Sequence, residues 1–380
     1  MVQIKIIYRK LVINMKYSEQ NLVKIAKREN NKKRSYLLVN PLQGKHIPVS
    51  PMKAMQLFDS LADKIKDRYK DEKILFVGFA ETATAIGARV AVNLGANYIQ
   101  TTREIIPDVN YMFFSEEHSH ATEQKLVKND IDGIIKEVDR IIFIEDEITT
   151  GKTILNIIDI LEKQYPNKLK YGVASLLNGM TDEHLSRYKK RKIEIQYLVK
   201  TDHSDYKKYA DKYINDGDYI CNLSDEKIEV PILNIEGKMD ARRLVNGKKY
   251  EEACQRLWNK VNEKIGNIKK EKILVVGTEE FMYPSLYIGS MLENLENEVK
   301  CHSTTRSPIM VSRDKEYPLH TRYELRSLYD SERKTFIYDI DKYDRVLVIT
   351  DSSLLEKKGI ISLVNALNEK NENIVVIRWC

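Results

Sequence analysis

No apolar run in this 380-residue chain approaches membrane-spanning length. Its opening segment, MVQIKIIYRKLVINMKYSEQ, mixes charges among the apolar residues, so neither a transmembrane helix nor a signal-peptide core is expected. Cysteine is scarce. Cys221, Cys254, Cys301 and Cys380 show neither CxxC nor zinc-ligand spacing, which excludes a zinc module and leaves ordinary reduced thiols. An excess of one charge sign is lacking too: 62 basic side chains stand against 56 acidic ones, a net +6, with lysines scattered among glutamates. A surplus this small can attract phosphorylated small molecules and is weak evidence for a nucleic-acid surface; no helix-turn-helix or RNA-binding motif is recognisable. Nucleic-acid and membrane partners are therefore not expected, and a cytoplasmic location is. Low-complexity linkers are absent, yet 380 residues exceed most single cores, so two domains are the expectation.

The densest chemistry lies in DRIIFIEDEITTGKT, residues 139–153. Four apolar residues, Ile141 to Ile144, read as a short buried strand that Glu145 and Asp146 end. The small-residue loop Thr149-Thr150-Gly151-Lys152-Thr153 then opens the helix ILNIIDILEKQ. Backbone N–H groups, hydroxyls and the positive end of a helix dipole favour a phosphate dianion, and Gly151 lets the backbone approach it. The two carboxylates can accept hydrogen bonds from vicinal ribose hydroxyls or hold Mg²⁺ through water. A sugar 5-phosphate satisfies both halves. The GxxxxGK[ST] spacing of a Walker loop is absent.

This segment resembles the loop that binds phosphoribosyl pyrophosphate (PRPP) in type I phosphoribosyltransferases of the orotate phosphoribosyltransferase-like kind. The family pattern is an apolar run, two acids, two variable residues and TTGxT, here with Glu145 in place of the commoner first Asp. The resemblance implies that Glu145 and Asp146 hold the ribose, directly or through water on Mg²⁺. It also implies that Glu147, Thr149, Thr150, Gly151, Lys152 and Thr153 surround the 5′-phosphate. A second strand-to-helix junction, KILFVGFAETATAIGARV, supplies Phe79, Ala80, Glu81, Thr82, Ala83 and Thr84, where the family binds pyrophosphate. Arg103, in TTRE after the next strand, is placed to neutralise a phosphate.

Between residues 105 and 138 a polar, turn-rich stretch is long enough to form a lid, and its Glu116-Glu117-His118-Ser119-His120 cluster falls where the family closes a loop over PRPP. His118 or His120 would then stabilise departing pyrophosphate or shuttle a proton. Lys45 and His46, in the turn Gln43-Gly44-Lys45-His46, reach an anionic ligand or a base hood, or are a plain exposed turn; these readings stay open. Residues 24–34 read as a charged helix or loop. VASLLNG resembles the strand and loop that in this family lead toward the acceptor pocket, which makes Leu177 and Asn178 candidates for acceptor recognition.

The second half reads as a worn copy of the first. KILFVG at 73 recurs as KILVVG at 272, an offset of 199; TTRE at 101 recurs as TTRS at 304, an offset of 203; DRIIFIED at 139 recurs as DRVLVITD at 344, an offset of 205. In the copy, Thr350-Asp351 replaces the acid pair and Ser352-Ser353-Leu354-Leu355-Glu356 replaces the phosphate loop, so phosphoribosyl transfer is not expected there. The residues Thr305-Arg306-Ser307-Pro308 resemble the signature of the TRSP domain, which follows phosphoribosyltransferase domains in proteins encoded with tellurium-resistance clusters. Thr305, Arg306, Ser307 and Arg322 are candidates for a second site or for structural ion pairs.

The expected architecture is therefore α/β: two Rossmann-like phosphoribosyltransferase-type domains with mainly parallel sheets, the second degenerate, divided as 1–225 and 226–380. The expected activity is Mg²⁺-dependent transfer from PRPP, or a related ribose 5-phosphate compound, to a small nucleobase-like acceptor, in a chain that forms a homodimer. The product would serve biosynthesis of a nucleoside-like metabolite. Two alternatives stand beside it, a non-catalytic PRPP or nucleotide sensor and a diphosphokinase of the PRPP synthetase type.

Overall fold

A computed structural model describes residues 16–29, 34–114, 124–221, 228–266, 268–353 and 357–380. The chain opens with α1 (Glu19–Leu22) and an antiparallel pair, β1 (Lys24–Lys27) and β2 (Tyr36–Val39). Next come α2 (Pro51–Lys66), β3 (Ile74–Gly78), α3 (Thr84–Leu94) and β4 (Asn97–Gln100). A hairpin of β5 (Tyr111–Phe114) and β6 (Gln124–Val127) leads to α4 (Lys128–Ile134). Strand and helix then alternate through β7 (Arg140–Ile148), α5 (Lys152–Gln164), β8 (Lys170–Asn178), α6 (Asp182–Lys190) and β9 (Glu194–Lys200).

The middle of the chain carries α7 (Tyr206–Asp211), β10 (Asp218–Ile220), β11 (Ile232–Ile235), β12 (Val245–Asn246) and α8 (Gly247–Ile265). The pattern resumes with β13 (Lys272–Gly277), α9 (Tyr283–Glu293), β14 (Glu298–Ser303), the antiparallel pair β15 (Thr321–Arg326) and β16 (Lys334–Tyr338), β17 (Arg345–Thr350), α10 (Lys357–Asn368) and β18 (Ile374–Trp379). Among the described residues no helix is long and apolar enough to cross a membrane.

Two compact units result, and they interleave in sequence. Unit 1 comprises the described residues up to Leu22, Met55–Asp202 and Ala241–Lys248; unit 2 comprises Val23–Ala54, His203–Asp240 and Lys249–Cys380. The packing thus crosses the chain at more points than one boundary near 225. The sheet of unit 1 runs β12-β4-β3-β7-β8-β9, parallel throughout except for the antiparallel edge strand β12. Its strands are near-continuous apolar runs, as a sheet covered on both faces requires, with Leu75, Phe76 and Val77 of β3 and Ile141 to Ile144 of β7 buried.

The sheet of unit 2 runs β11-β18-β17-β13-β14, all parallel. In the two sheets β14, β13, β17 and β18 stand in the order of β4, β3, β7 and β8, whereas the fifth strand differs in origin, β11 preceding β13 in the chain and β9 following β8. Each also carries an antiparallel hairpin at the same point in the chain, β5–β6 or β15–β16. Both domains are therefore α/β with mainly parallel sheets, and the four-strand order with its hairpin recurs in the second. Gly78 and Gly277 occupy equivalent strand ends for a steric reason: a Cβ would lie 2.5 Å from the Tyr98 hydroxyl in one and 2.6 Å from Ser285 Oγ in the other.

Three local expectations need correction. Residues 24–27 form a strand rather than a charged helix or loop, because pairing with β2 buries Ala26 and Val39 in a core with Ile309, Phe336 and Tyr338. Strand β7 does not stop at the acids. Its partner β8 extends the ladder through Glu145 opposite Ser175 and Glu147 opposite Leu177 to Ile148 opposite Asn178. The turn carrying Lys45 and His46 is not exposed: Gln43, Lys45 and His46 are all buried within unit 2.

Candidate functional site

At the C-terminal edge of the unit 1 sheet, β3 ends with Gly78 opposite Ile144, while β7 continues for four more residues. Beyond Ile144 the strand therefore has β8 on one side and the β3–α3 loop on the other. Glu145, Asp146 and Glu147 are partly exposed there, above the buried Ile141 to Ile144. The neighbouring loop is tied to this strand twice: Phe79 N donates to Ile144 O at 3.1 Å, and Thr82 Oγ1 donates to Asp146 Oδ1 at 2.8 Å. Withdrawal from water, with the Glu147 charge second, pushes the Asp146 carboxyl up to about 6, although the Thr82 hydrogen bond pulls the other way. A carboxylate poised near neutrality in a strand-end cleft is suited to binding and proton exchange.

The phosphate-sized loop leaves the same strand. Gly151 has φ 71°, and a Cβ there would sit 2.3 Å from the Tyr188 hydroxyl. That hydroxyl donates to Gly151 O at 2.7 Å, so a tyrosine on α6 clamps the turn from beneath. Helix α5 begins at Lys152 behind Gly151, which has no side chain to cap it, and a helix favours an anion at this end. Lys152 is exposed, Thr149, Thr150 and Thr153 are partly so, and Lys152 N donates to Thr150 Oγ1 at 3.3 Å.

The β3–α3 loop divides into ligand-facing and internal parts. The Phe79 ring is buried against Phe114 and Phe143. Ala80 N donates to Thr101 Oγ1 at 2.8 Å, Ala80 O accepts from Gln124 Nε2 at 2.7 Å, and Ala83 N donates to Phe79 O at 3.0 Å. The Ala80–Glu81 peptide is cis. Glu81, Ala83 and Thr84 are buried, Thr84 O accepts from the Tyr98 hydroxyl at 2.8 Å, and the Thr82 side chain reaches the acid strand. Arg103, partly exposed, lies three residues beyond β4.

Unit 1 thus brings Glu145, Asp146, Glu147, the 149–153 loop and Thr82 to one end of one sheet. His118 and His120 lie outside the described residues. Leu177 and Asn178 end β8 with buried side chains. The other candidates belong to unit 2. There Lys45 is fully buried and donates to the carbonyls of Glu279 and Thr304, each at 2.9 Å. His46 packs edge-on to Tyr338, and Thr305 pairs with Phe336. Ser307 O accepts from the Tyr338 hydroxyl at 2.6 Å. Arg306 meets Glu279 at 2.9 Å, whereas Arg322 meets Glu29 at 2.8 Å and stacks over Tyr219. Both are ion pairs inside one unit.

Sequence reasoning missed Tyr188, Gln124 and Thr101. Each supports the site through a partner distant in sequence, and none sits in a motif that announces the role.

Residues 22–204 match the family described as "Phosphoribosyl transferase", and residues 244–367 match the family described as "TRSP domain C terminus to PRTase_2". Among curated proteins the chain has no match. Among solved structures it is similar to adenine phosphoribosyltransferase from Giardia lamblia complexed with 9-deazaadenine, at 18% identity over 48% of this chain and 96% of that one, with a TM-score of 0.34. It is similar to the Trypanosoma brucei enzyme in complex with AMP, pyrophosphate and ribose-5-phosphate, at 15% identity over 50% of this chain and 78% of that one, with a TM-score of 0.35. The Rhodothermus marinus enzyme matches at 14% identity over 48% of this chain and 96% of that one, with a TM-score of 0.34.

Proposed function

We propose that this chain, which joins a phosphoribosyltransferase domain to a C-terminal TRSP domain, transfers the phosphoribosyl group of PRPP to a nucleobase-like acceptor in a Mg²⁺-dependent reaction. The observation that carries the reading is the convergence of two loops on one strand end. The acids of β7 and the glycine-led start of α5 lie together, and Thr82 of the β3–α3 loop is hydrogen-bonded to Asp146 at 2.8 Å.

In this reading Glu145 and Asp146 accept hydrogen bonds from the ribose hydroxyls, and residues 149–153 hold the 5′-phosphate over the first amides of α5. Arg103 faces the pyrophosphate end. Bond breaking at the anomeric carbon leaves oxocarbenium character on the ribose, so the chain's contribution is positioning and electrostatic stabilisation of the departing charge. Two adjacent carboxylates, Glu145 and Asp146, fit Mg²⁺, which keeps several waters and takes one or two carboxylates plus substrate phosphate oxygens. Glu145 and Asp146 would hold it through water, and its chemistry would be to neutralise the leaving pyrophosphate. His118 and His120 belong to this proposal as closing residues. So does a tellurium-resistance setting in which a nucleoside-like metabolite is made.

The test is calorimetric titration of PRPP with and without Mg²⁺ on the wild type and on Asp146→Asn, followed by pyrophosphate release across a panel of nucleobases. Mg²⁺-dependent binding weakened by the substitution supports the site. Absence of PRPP binding by the folded wild type sinks it.

A further inference from the structure

The strand-end loop of unit 2 repeats that of unit 1 with different chemistry. After β13 it reads Gly277-Thr278-Glu279-Glu280, and both acids are buried, each only 1% exposed. Glu279 adopts φ 47°, which turns its carboxylate back into the protein. One oxygen, Oε2, accepts from Arg306 Nε and Arg333 Nη1, both at 2.9 Å; the other, Oε1, accepts from Ser327 Oγ at 2.5 Å. Arg306 also reaches Glu280 Oε1 at 3.3 Å. Arg306 is the counterpart of Arg103, at the offset of 203 between the two TTR segments. Two guanidinium groups and a hydroxyl converging on one buried anion form a donor set of the kind that binds phosphate oxygens.

The other receptor group of the copy is satisfied in the same internal way. Asp351, counterpart of Asp146, has a side chain only 2% exposed; it accepts from the Tyr329 hydroxyl at 2.8 Å and from Lys238 Nζ at 3.4 Å. Ser352, which opens the segment replacing the phosphate loop, donates its hydroxyl to Leu328 O at 2.5 Å.

We propose that Glu279, seconded by Glu280, is a built-in anion occupying the oxyanion receptor of unit 2, so that this unit takes neither pyrophosphate nor PRPP while the carboxylate is in place. The duplicated site has kept the arginine of its TTR segment, Arg306, and acquired its own ligand. Removing the carboxylate reopens the receptor to an external diphosphate.

The experiment titrates inorganic pyrophosphate into the full chain by calorimetry, comparing wild type with Glu279→Gly; glycine tolerates the positive φ. Equivalents bound by unit 1 are common to both proteins and cancel, so the outcome is independent of what unit 1 binds. Glu279→Gly should take up one equivalent more than wild type, and Arg306→Met added to it should remove that equivalent. Pyrophosphate should raise the melting temperature of Glu279→Gly more than that of wild type. A folded Glu279→Gly binding no more than wild type would overturn the proposal, as would a wild-type equivalent that Arg333→Met abolishes. If Glu279→Gly folds poorly, recovery on refolding with pyrophosphate supports the idea, and failure to recover counts against it.

Discussion

Replacing Asp146 with Asn should make unit 1 more stable while it weakens the site. The Asp146 carboxyl is raised from 3.8 to about 6, chiefly by withdrawal from water and then by the Glu147 charge. A carboxyl whose folded value lies above its unfolded one holds protons more tightly in the native state. Its ionisation therefore destabilises the fold progressively as pH rises from about 4 to about 6, and the penalty is complete above that window. A rise from 3.8 to about 6 is worth about 3 kcal/mol. Asn cannot ionise and keeps an oxygen for the Thr82 hydroxyl, so most of that penalty should vanish at pH 8 and none of it below pH ~4.

The assay should report unit 1 separately, because both tryptophans, Trp258 and Trp379, lie in unit 2. Hydrogen exchange of the β7 and β8 amides measures unit 1 opening, and tryptophan fluorescence supplies the internal control. Slower exchange in Asp146→Asn at pH 8, converging with wild type near pH 4, is the expected result. Equal or faster exchange at pH 8 would refute the claim that this carboxylate is held at a cost.

Thr82→Val removes the side-chain hydrogen bond that lowers the Asp146 value, so the acidic limb of the pH–rate profile should move to higher pH; an unmoved limb would separate Thr82 from the site. Gly151→Ala forces a Cβ to 2.3 Å from the Tyr188 hydroxyl at a φ of 71°. It should weaken PRPP binding at least about tenfold by calorimetry, with a left-handed backbone cost of about 1–2 kcal/mol. Glu72 serves as the control at the other end of β7: hydrogen bonds from Arg140 foremost, and from Lys170 at 2.8 Å, lower it from 4.5 to about 2. The stability it contributes is present above pH 4.5 and lost as pH falls through 2, so Glu72→Gln should lower the melting temperature at pH 7 and leave kcat unchanged.

What was legible in the sequence was local. The run Ile141 to Ile144 followed by Thr149-Thr150-Gly151 carries its strand, turn and helix start within fifteen consecutive residues, and the structure reproduces them. The duplication was legible because KILFVG and KILVVG kept their order relative to the later blocks, and four strands of each sheet fall in the same order. The extent of β7 beyond the acids was not legible, because it depends on how far β8 runs beside it. Lys45 reads as a surface lysine by composition, and its burial follows from the carbonyls of Glu279 and Thr304, more than two hundred positions away. Glu279 and Glu280 look like an ordinary acidic turn until Arg306 and Arg333 are placed around them.

The place of β1 and β2 sets an order of events during synthesis. Their buried residues Ala26 and Val39 complete a core with Ile309, Phe336 and Tyr338, which the ribosome delivers some 299 positions after Val39 (338 − 39). At about 5–20 residues per second, these strands wait roughly 15 to 60 s for their partners. Unit 1 can close meanwhile, since Met55–Asp202 supplies five of its six sheet strands. The first part of the second domain to be made is thus among the last to find its place, and a chaperone or protease acting on the nascent chain would meet it before its partners exist.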